Sequence, residues 1–215
     1  MRPSRFASAL CLIVVLFTGR HAAAAEYALD AIPRTLKPGE ALPCVRGTIP
    51  LISYRGAQIR YQKPVRIHPA FESQLRAFEE LVAELAVAHY GRIPRRLVHL
   101  GGYNCRVMRL YPDYVSEHAL GNAIDLAGFD FAPIGRRDAR AAGLAPALRG
   151  AFHIRLAADW QAKGSAHAAF LRALAAELAR RPEIFRVLLG PGYPGHHNHL
   201  HLDHAPYRLV DYDPR

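Results

Sequence analysis

Two short segments alternate so regularly that they leave the chain little choice. Ala123 to Phe129 reads Ala-Ile-Asp-Leu-Ala-Gly-Phe, and His199 to Asp203 reads His-Leu-His-Leu-Asp. Side chains on a strand point to opposite faces in turn. Ile124 and Leu126 therefore face a core, while Ala123, Asp125 and Ala127 face away from it. Leu200 and Leu202 likewise turn inward, and His199, His201 and Asp203 share the other face. The small Ala residues leave room around Asp125. His118 precedes the first strand, and Gly121 permits a tight turn that could return it to Asp125.

The remainder reads as one α+β domain over about residues 44–207, with a small, mostly antiparallel sheet flanked by helices. Residues 26–43 are Pro-rich and form an extended lead-in pinned by Cys44. Residues 208–215 are set aside as a C-terminal tail. Thr48 to Tyr54 and Ala57 to Tyr61 predict a hairpin around Arg55-Gly56. Pro69 to Tyr90 has helical apolar spacing and ends at Gly91. Leu97 to Leu100 predicts a short strand. Arg136 to Ala142 and Ala151 to Gln161 predict short helices, and Ser165 to Arg180 predicts a longer one capped by Ser165. Phe185 to Leu189 is a short apolar run, and Leu200 to Asp203 is the last strand.

The start of the chain sets the compartment. Arg2 and Arg5 precede an apolar run, Ala9 to Phe17, and Ala-rich residues follow up to Ala25. That order predicts a secretory signal peptide over residues 1–25, too short for a comfortable transmembrane helix. No stable membrane span is expected once it is cut. Cys44 and Cys105 then remain, and in an oxidising compartment an isolated pair is most simply one disulfide. The full chain of 215 residues carries +10, and losing Arg2, Arg5 and Arg20 leaves +7. Of its 28 basic residues, 25 are Arg, a bias typical of a GC-rich bacterial genome. No basic cluster is interleaved with aromatics, so nucleic acid is not the expected partner.

The chemistry gathers in residues 116–125 and 196–203. A lone His is commonly an ordinary core or surface residue satisfied by hydrogen bonds. Here five histidines, His118, His196, His197, His199 and His201, fall within two short segments beside Asp125. Two His and one Asp form a sound zinc set with one position left for water. Successive imidazoles on one strand face lie about 7 Å apart at Cα, close enough for a ligand and a neighbouring base.

Ser116-x-His118-x-x-Gly121-x-Ala123-x-Asp125 resembles the SxHxxGxAxD pattern of the zinc D-alanyl-D-alanine peptidase group. That group includes D,D-carboxypeptidases, murein endopeptidases and the hedgehog signalling domain. Tyr103-Asn104-Cys105-Arg106 and the late His-His-Asn-His-x-His-x-Asp run resemble more closely the bacterial extensin-like C-terminal domain family, over roughly residues 40–204. The resemblance implies a hedgehog/D,D-peptidase-like fold and one zinc ion per chain, held by His118, Asp125 and His201. It implies His199 as base, His196 as a further site residue, and Arg106 as a substrate-positioning or oxyanion-stabilising residue, with Arg109 as its competitor. Ser116 and Asp203 are supporting candidates. Asp203 would either orient a ligand His or pair with an Arg at the surface, and Ser116 could equally serve as a plain turn cap. One departure stands out: the carboxypeptidase branch places a Glu three residues before its last zinc His, and this chain has Asn198 there. His199 must then do the work of that Glu, which favours the endopeptidase-like branch.

The expectation is an exported zinc peptidase acting on peptidoglycan stem peptides or crosslinks, in the periplasm or envelope of a Gram-negative bacterium. The rivals are a zinc domain with the same ligands and no turnover, and an envelope protein that binds cell-wall polymer through its charge and exposed aromatics.

Overall fold

The two alternating segments become neighbouring strands at the centre of a sheet. The computed structural model describes residues 27–45 and 47–213, so the expected leader over residues 1–25 lies outside the described residues. The strand β4 (Ala123–Phe131) is the longest, and β7 (Leu200–Asp203) pairs antiparallel with its first half. A short strand, β5 (Phe152–Arg155), pairs with its second half, and β3 (Arg96–Gly101) takes a further stretch of it. Beyond β7 come β6 (Val187–Leu189) and then β8 (Leu209–Asp211), which runs parallel to β6. The other strand pairs of this sheet, among the described residues, are antiparallel, as expected. A separate two-stranded ribbon joins β1 (Ile52–Tyr54) to β2 (Val65–Ile67).

Helix α1 (Glu72–Tyr90) forms where the apolar spacing predicts it. A 3₁₀ turn at Pro69–Phe71 leads in, with His68 Nδ1 accepting the Ala70 N–H. Gly91 closes the helix at φ +64, the left-handed conformation that glycine adopts without strain. Helix α4 (Ala166–Arg180) also starts as read, with the Ser165 hydroxyl accepting from the His167 N–H. Two short helices, α2 (Arg136–Ala141) and α3 (Leu156–Asp159), complete the set.

Both long helices pack on one face of the sheet. Ile124, Leu126, Leu200 and Leu202 join Leu75, Phe78, Phe170 and Leu174 in one buried core. Each such side chain contributes roughly 2 kcal/mol by leaving water. The opposite face of β4 and β7 is left for Asp125, His201 and Asp203. The chain is thus a mixed α/β domain whose central strands carry core on one side and polar groups on the other.

Four readings need correction. Residues 57–61 are not the second strand of a hairpin; β1 pairs with β2 instead. The cause is Glu79, fully buried on α1, whose carboxylate accepts from the N–H groups of Ala57, Gln58 and Ile59 and from the Tyr54 hydroxyl. Those N–H groups are therefore spent on a loop rather than a ladder. Residues 151–161 are not one helix, because Phe152–Arg155 pairs along β4. Residues 209–211, read as tail, form β8. Finally, the lead-in is pinned by Cys44 as read but is not simply extended: it turns at residues 28–31 and 38–39, Arg34 is buried, and Leu36 N–H donates to the Asp113 carbonyl.

Candidate metal centre

The register of β4 on β7 sets Asp125 directly opposite His201, and Ala123 opposite Asp203. On the other side of β4, Gly101 is the partner of Asp125. No local signal encodes this juxtaposition; it follows from which apolar pairs interdigitate behind the sheet. His118 comes from a 3₁₀ turn, Glu117–Leu120, that ends at Gly121 with φ +66. A Cβ on Gly121 would lie 2.6 Å from the His68 nitrogen, so both conformation and space require glycine. The turn delivers the His118 ring onto Asp125.

Three ligand-type atoms converge. His118 Nε2 and His201 Nδ1 are 3.1 Å apart, and they lie 3.2 and 3.1 Å from Asp125 Oδ1. Donor atoms about 2.1 Å from a tetrahedral zinc lie roughly 3.4 Å from one another, so the triangle is close to the size zinc requires.

The far side of each ring fixes its proton. His118 Nδ1 lies 2.5 Å from the Gly102 carbonyl, which can only accept, so Nδ1 carries a hydrogen and Nε2 is the atom offered to a metal. His201 Nε2 donates to Asp203 Oδ2 at 2.7 Å, which leaves Nδ1 as the atom offered to a metal. Both ring nitrogens and a carboxylate oxygen thus face one point; without a metal a proton on His201 supplies the positive charge there, and a bound cation would displace it and take the lone pair. Burial opposes a proton on His201, but Asp125 and Asp203 outweigh it and push its pKa up to about 10. Burial likewise opposes charge on Asp125, yet His118 and His201 hold its carboxyl well below the usual carboxylate range. A divalent cation satisfies the same demand, and this donor set fits zinc.

His199 stands just before β7. Its Nε2 is 3.6 Å from Asp125 Oδ1, and its Nδ1 donates to Asn198 Oδ1 at 2.8 Å. The free lone pair therefore points at the centre. Burial lowers its pKa to about 4, more than Asp125 raises it, so the ring is neutral over most of the pH range. The His196 ring centroid is 4.8 Å from that of His199 and 5.8 Å from that of His201, and its Nδ1 donates to the Pro194 carbonyl. A cleft of about 220 Å³ opens at His118 and Asp125, walled by Leu100 to Asn104 and by Arg106. A larger depression of about 590 Å³, around Ala162 to Arg172, shares no residue with this cluster.

The expected residues sort clearly. His118, Asp125, His199, His201 and His196 come together, and Asp203 orients His201. Arg106 lines the cleft and Arg109 does not. Ser116 is buried beside the turn, but its hydroxyl makes no capping hydrogen bond. His197 is exposed, and His153 pairs with Asp130 at 2.8 Å. His204 donates to the Ile184 carbonyl. Two contributors had no signal strong enough to read. Gly102 supplies the carbonyl for His118, and its own Cβ would lie 2.5 Å from Val65. Asn198, read only as a missing Glu, orients His199.

Cys44 and Cys105 are joined, with Cα atoms 5.7 Å apart. The bridge ties the cleft wall at Asn104–Arg106 to the lead-in, and it fits an oxidising compartment. Among the described residues, no helix is long and apolar enough to cross a membrane.

No curated protein and no solved structure matches the chain. A family model does match, over residues 43–212, and that span holds the sheet, both long helices and every residue of the cluster. The chain belongs to the family described as extensin-like protein C-terminus.

Proposed function

We propose that this chain is an exported zinc-dependent peptidase that hydrolyses amide bonds in peptidoglycan peptides, of D,D-endopeptidase or carboxypeptidase type. It would share its fold with the zinc D-alanyl-D-alanine peptidase and hedgehog group. The observation that carries the reading is the convergence of His118 Nε2, His201 Nδ1 and Asp125 Oδ1 at the mouth of an open cleft. Zinc, when bound there, would supply Lewis acidity that brings the pKa of a water to near neutrality.

The chain's own groups do the rest. His199 is neutral and presents a lone pair toward the cluster, so it accepts the proton of the attacking water and returns it to the leaving amine. Asn198 holds that tautomer by accepting from Nδ1. Asp203 keeps the proton of His201 on Nε2, away from the cleft. Arg106 brings a permanent positive charge to the cleft wall, suited to a developing oxyanion or to a substrate carboxylate. The cleft of about 220 Å³ that opens beside Asp125 leaves room for a substrate, which favours turnover over the rival zinc domain without it.

The test is metal content of the purified protein together with digestion of purified peptidoglycan, read by mass spectrometry. About one zinc per chain and shortened muropeptides are expected. His199→Ala should keep the zinc and lose turnover by roughly 10²- to 10⁴-fold. Full rate in that variant would remove His199 from the mechanism, and zinc without any product would leave the binding-domain rival standing.

A further inference from the structure

Residues 27–36 precede the segment that the family model matches, yet they reach the back of the site. Val115 N–H donates to the Arg34 carbonyl at 2.7 Å, so the segment runs beside the chain leading into His118. Arg34 then turns inward. Its Nε lies 2.7 Å from Glu117 Oε1, and its second terminal nitrogen lies 3.1 Å from Oε2. Its other terminal nitrogen donates to the carbonyls of Leu29 and Ile32. The two charged side chains are 6% and 0% exposed. Asn122 Nδ2 donates to Glu117 Oε2 at 2.6 Å, and the Tyr27 hydroxyl donates to Asn122 Oδ1 at 2.5 Å. The Tyr27 ring also stands edge-on to His204, 4.7 Å between centroids.

These four side chains form one connected chain of hydrogen bonds. Glu117 comes immediately before His118, and Asn122 immediately after Gly121, so the chain brackets the turn that presents the His118 ring. A carboxylate buried this deeply is costly unless its oxygens are matched, and an apolar side chain would fill the space more cheaply. What the charged arrangement adds is direction, because its bonds are satisfied in one orientation only. A four-residue 3₁₀ turn has few hydrogen bonds of its own to supply that.

We infer that Arg34 is a positioning residue of the site. Through Glu117 and Asn122, and with Tyr27, it sets the orientation of His118, so residues 27–36 belong to the functional unit rather than to a leader of it. The inference rests on the reading of His118, Asp125 and His201 as a metal centre.

The test compares the purified protein with Tyr27→Phe and Arg34→Met. Glu79→Gln serves as a destabilised control, because that carboxylate bonds Tyr54 and the 57–59 loop and not the site. Zinc affinity is read by competition with a chromophoric chelator, cobalt(II) geometry by its visible spectrum, and folding by thermal melting. Tyr27→Phe and Arg34→Met should weaken zinc roughly 10- to 100-fold and change the cobalt spectrum, while Glu79→Gln lowers only the melting temperature. If the first two variants melt earlier but keep zinc within about twofold and the spectrum unchanged, Arg34 is structural only and the inference falls while the metal centre stands. If the unaltered protein binds neither ion, the metal centre itself falls and takes the inference with it. Tyr27→Phe removes a single hydroxyl, so it decides the matter should Arg34→Met fail to fold.

Discussion

Asp203→Asn is a one-atom change that should uncouple zinc affinity from folding. Asp203 uses its two oxygens differently: Oδ2 accepts from His201 Nε2 at 2.7 Å, and Oδ1 accepts from the Ala205 N–H at 2.9 Å. A carboxamide has only one acceptor oxygen. If that oxygen keeps Ala205, the new NH₂ faces His201 Nε2, which must then give up its proton, so the ring's one remaining proton stays on Nδ1. There it donates to Asp125 Oδ1, 3.1 Å away, so the ring stays hydrogen-bonded without zinc. Zinc, however, needs the Nδ1 lone pair. To restore it the carboxamide must flip, leaving the buried Ala205 N–H against an NH₂ at a cost of about 1–3 kcal/mol. That corresponds to roughly 10- to 100-fold in zinc affinity, the range usual for partners that orient a metal ligand. At free zinc of 100 Kd for the parent protein, zinc adds about 2.7 kcal/mol of stability; the variant should gain only about 0.4–1.4 kcal/mol at the same zinc. For a domain of this size the zinc-induced rise in Tm should fall from about 5–11 °C to about 1–6 °C. Chelator competition gives the affinity directly, and ¹⁵N shifts of the His201 ring report the tautomer. Parental zinc affinity with an Nδ1 proton absent would refute the reasoning.

Three further outcomes can be checked by melting experiments. Gly121→Ala should cost about 2 kcal/mol or more, because the new Cβ meets the His68 backbone at 2.6 Å and φ is +66; a loss under about 0.5 kcal/mol would show that the turn relaxes freely. Burial opposes the charge of Asp130, but hydrogen bonds from Arg155 and His153, with Arg96 beside them, outweigh it and lower its pKa. Its stabilisation is therefore full above the unfolded carboxyl pKa and is lost as pH falls through the folded value; Asp130→Asn should flatten that acid limb, and an unchanged pH profile would refute it. Removing the bridge by Cys44→Ser with Cys105→Ser frees a loop spanning a separation of 61 residues, worth up to about 4 kcal/mol in the loop-entropy model. A double variant as stable as the parent would mean that the bridge constrains only the folded cleft.

Much of this architecture was legible locally. Helix α1, its glycine stop and the Ser165 cap follow from neighbours within a few residues, as does the shared face of His201 and Asp203. The pattern from Ser116 to Asp125 marked the first half of the cluster, and the His-rich run marked the second. The failures share one physical cause. Ala57 to Tyr61 has the look of a strand, but a carboxylate some twenty residues away captures its N–H groups. Phe152–Arg155 sits in Ala-rich surroundings, yet an open edge of β4 recruits it as a strand. Arg34 gave no sign of its role, because its partner lies 83 positions later.

What the sequence by itself determined is which groups could bind a cation, and on which face of their strands they lie, since alternation along a strand needs no partner. What only the tertiary structure decided is their meeting. The pairing of Asp125 with His201, the Gly102 carbonyl that fixes the His118 proton, and the carboxamide of Asn198 on His199 all depend on register and close approach. Those are settled by how the apolar sides of β4 and β7 pack against α1 and α4, a property of the whole core and of no single segment.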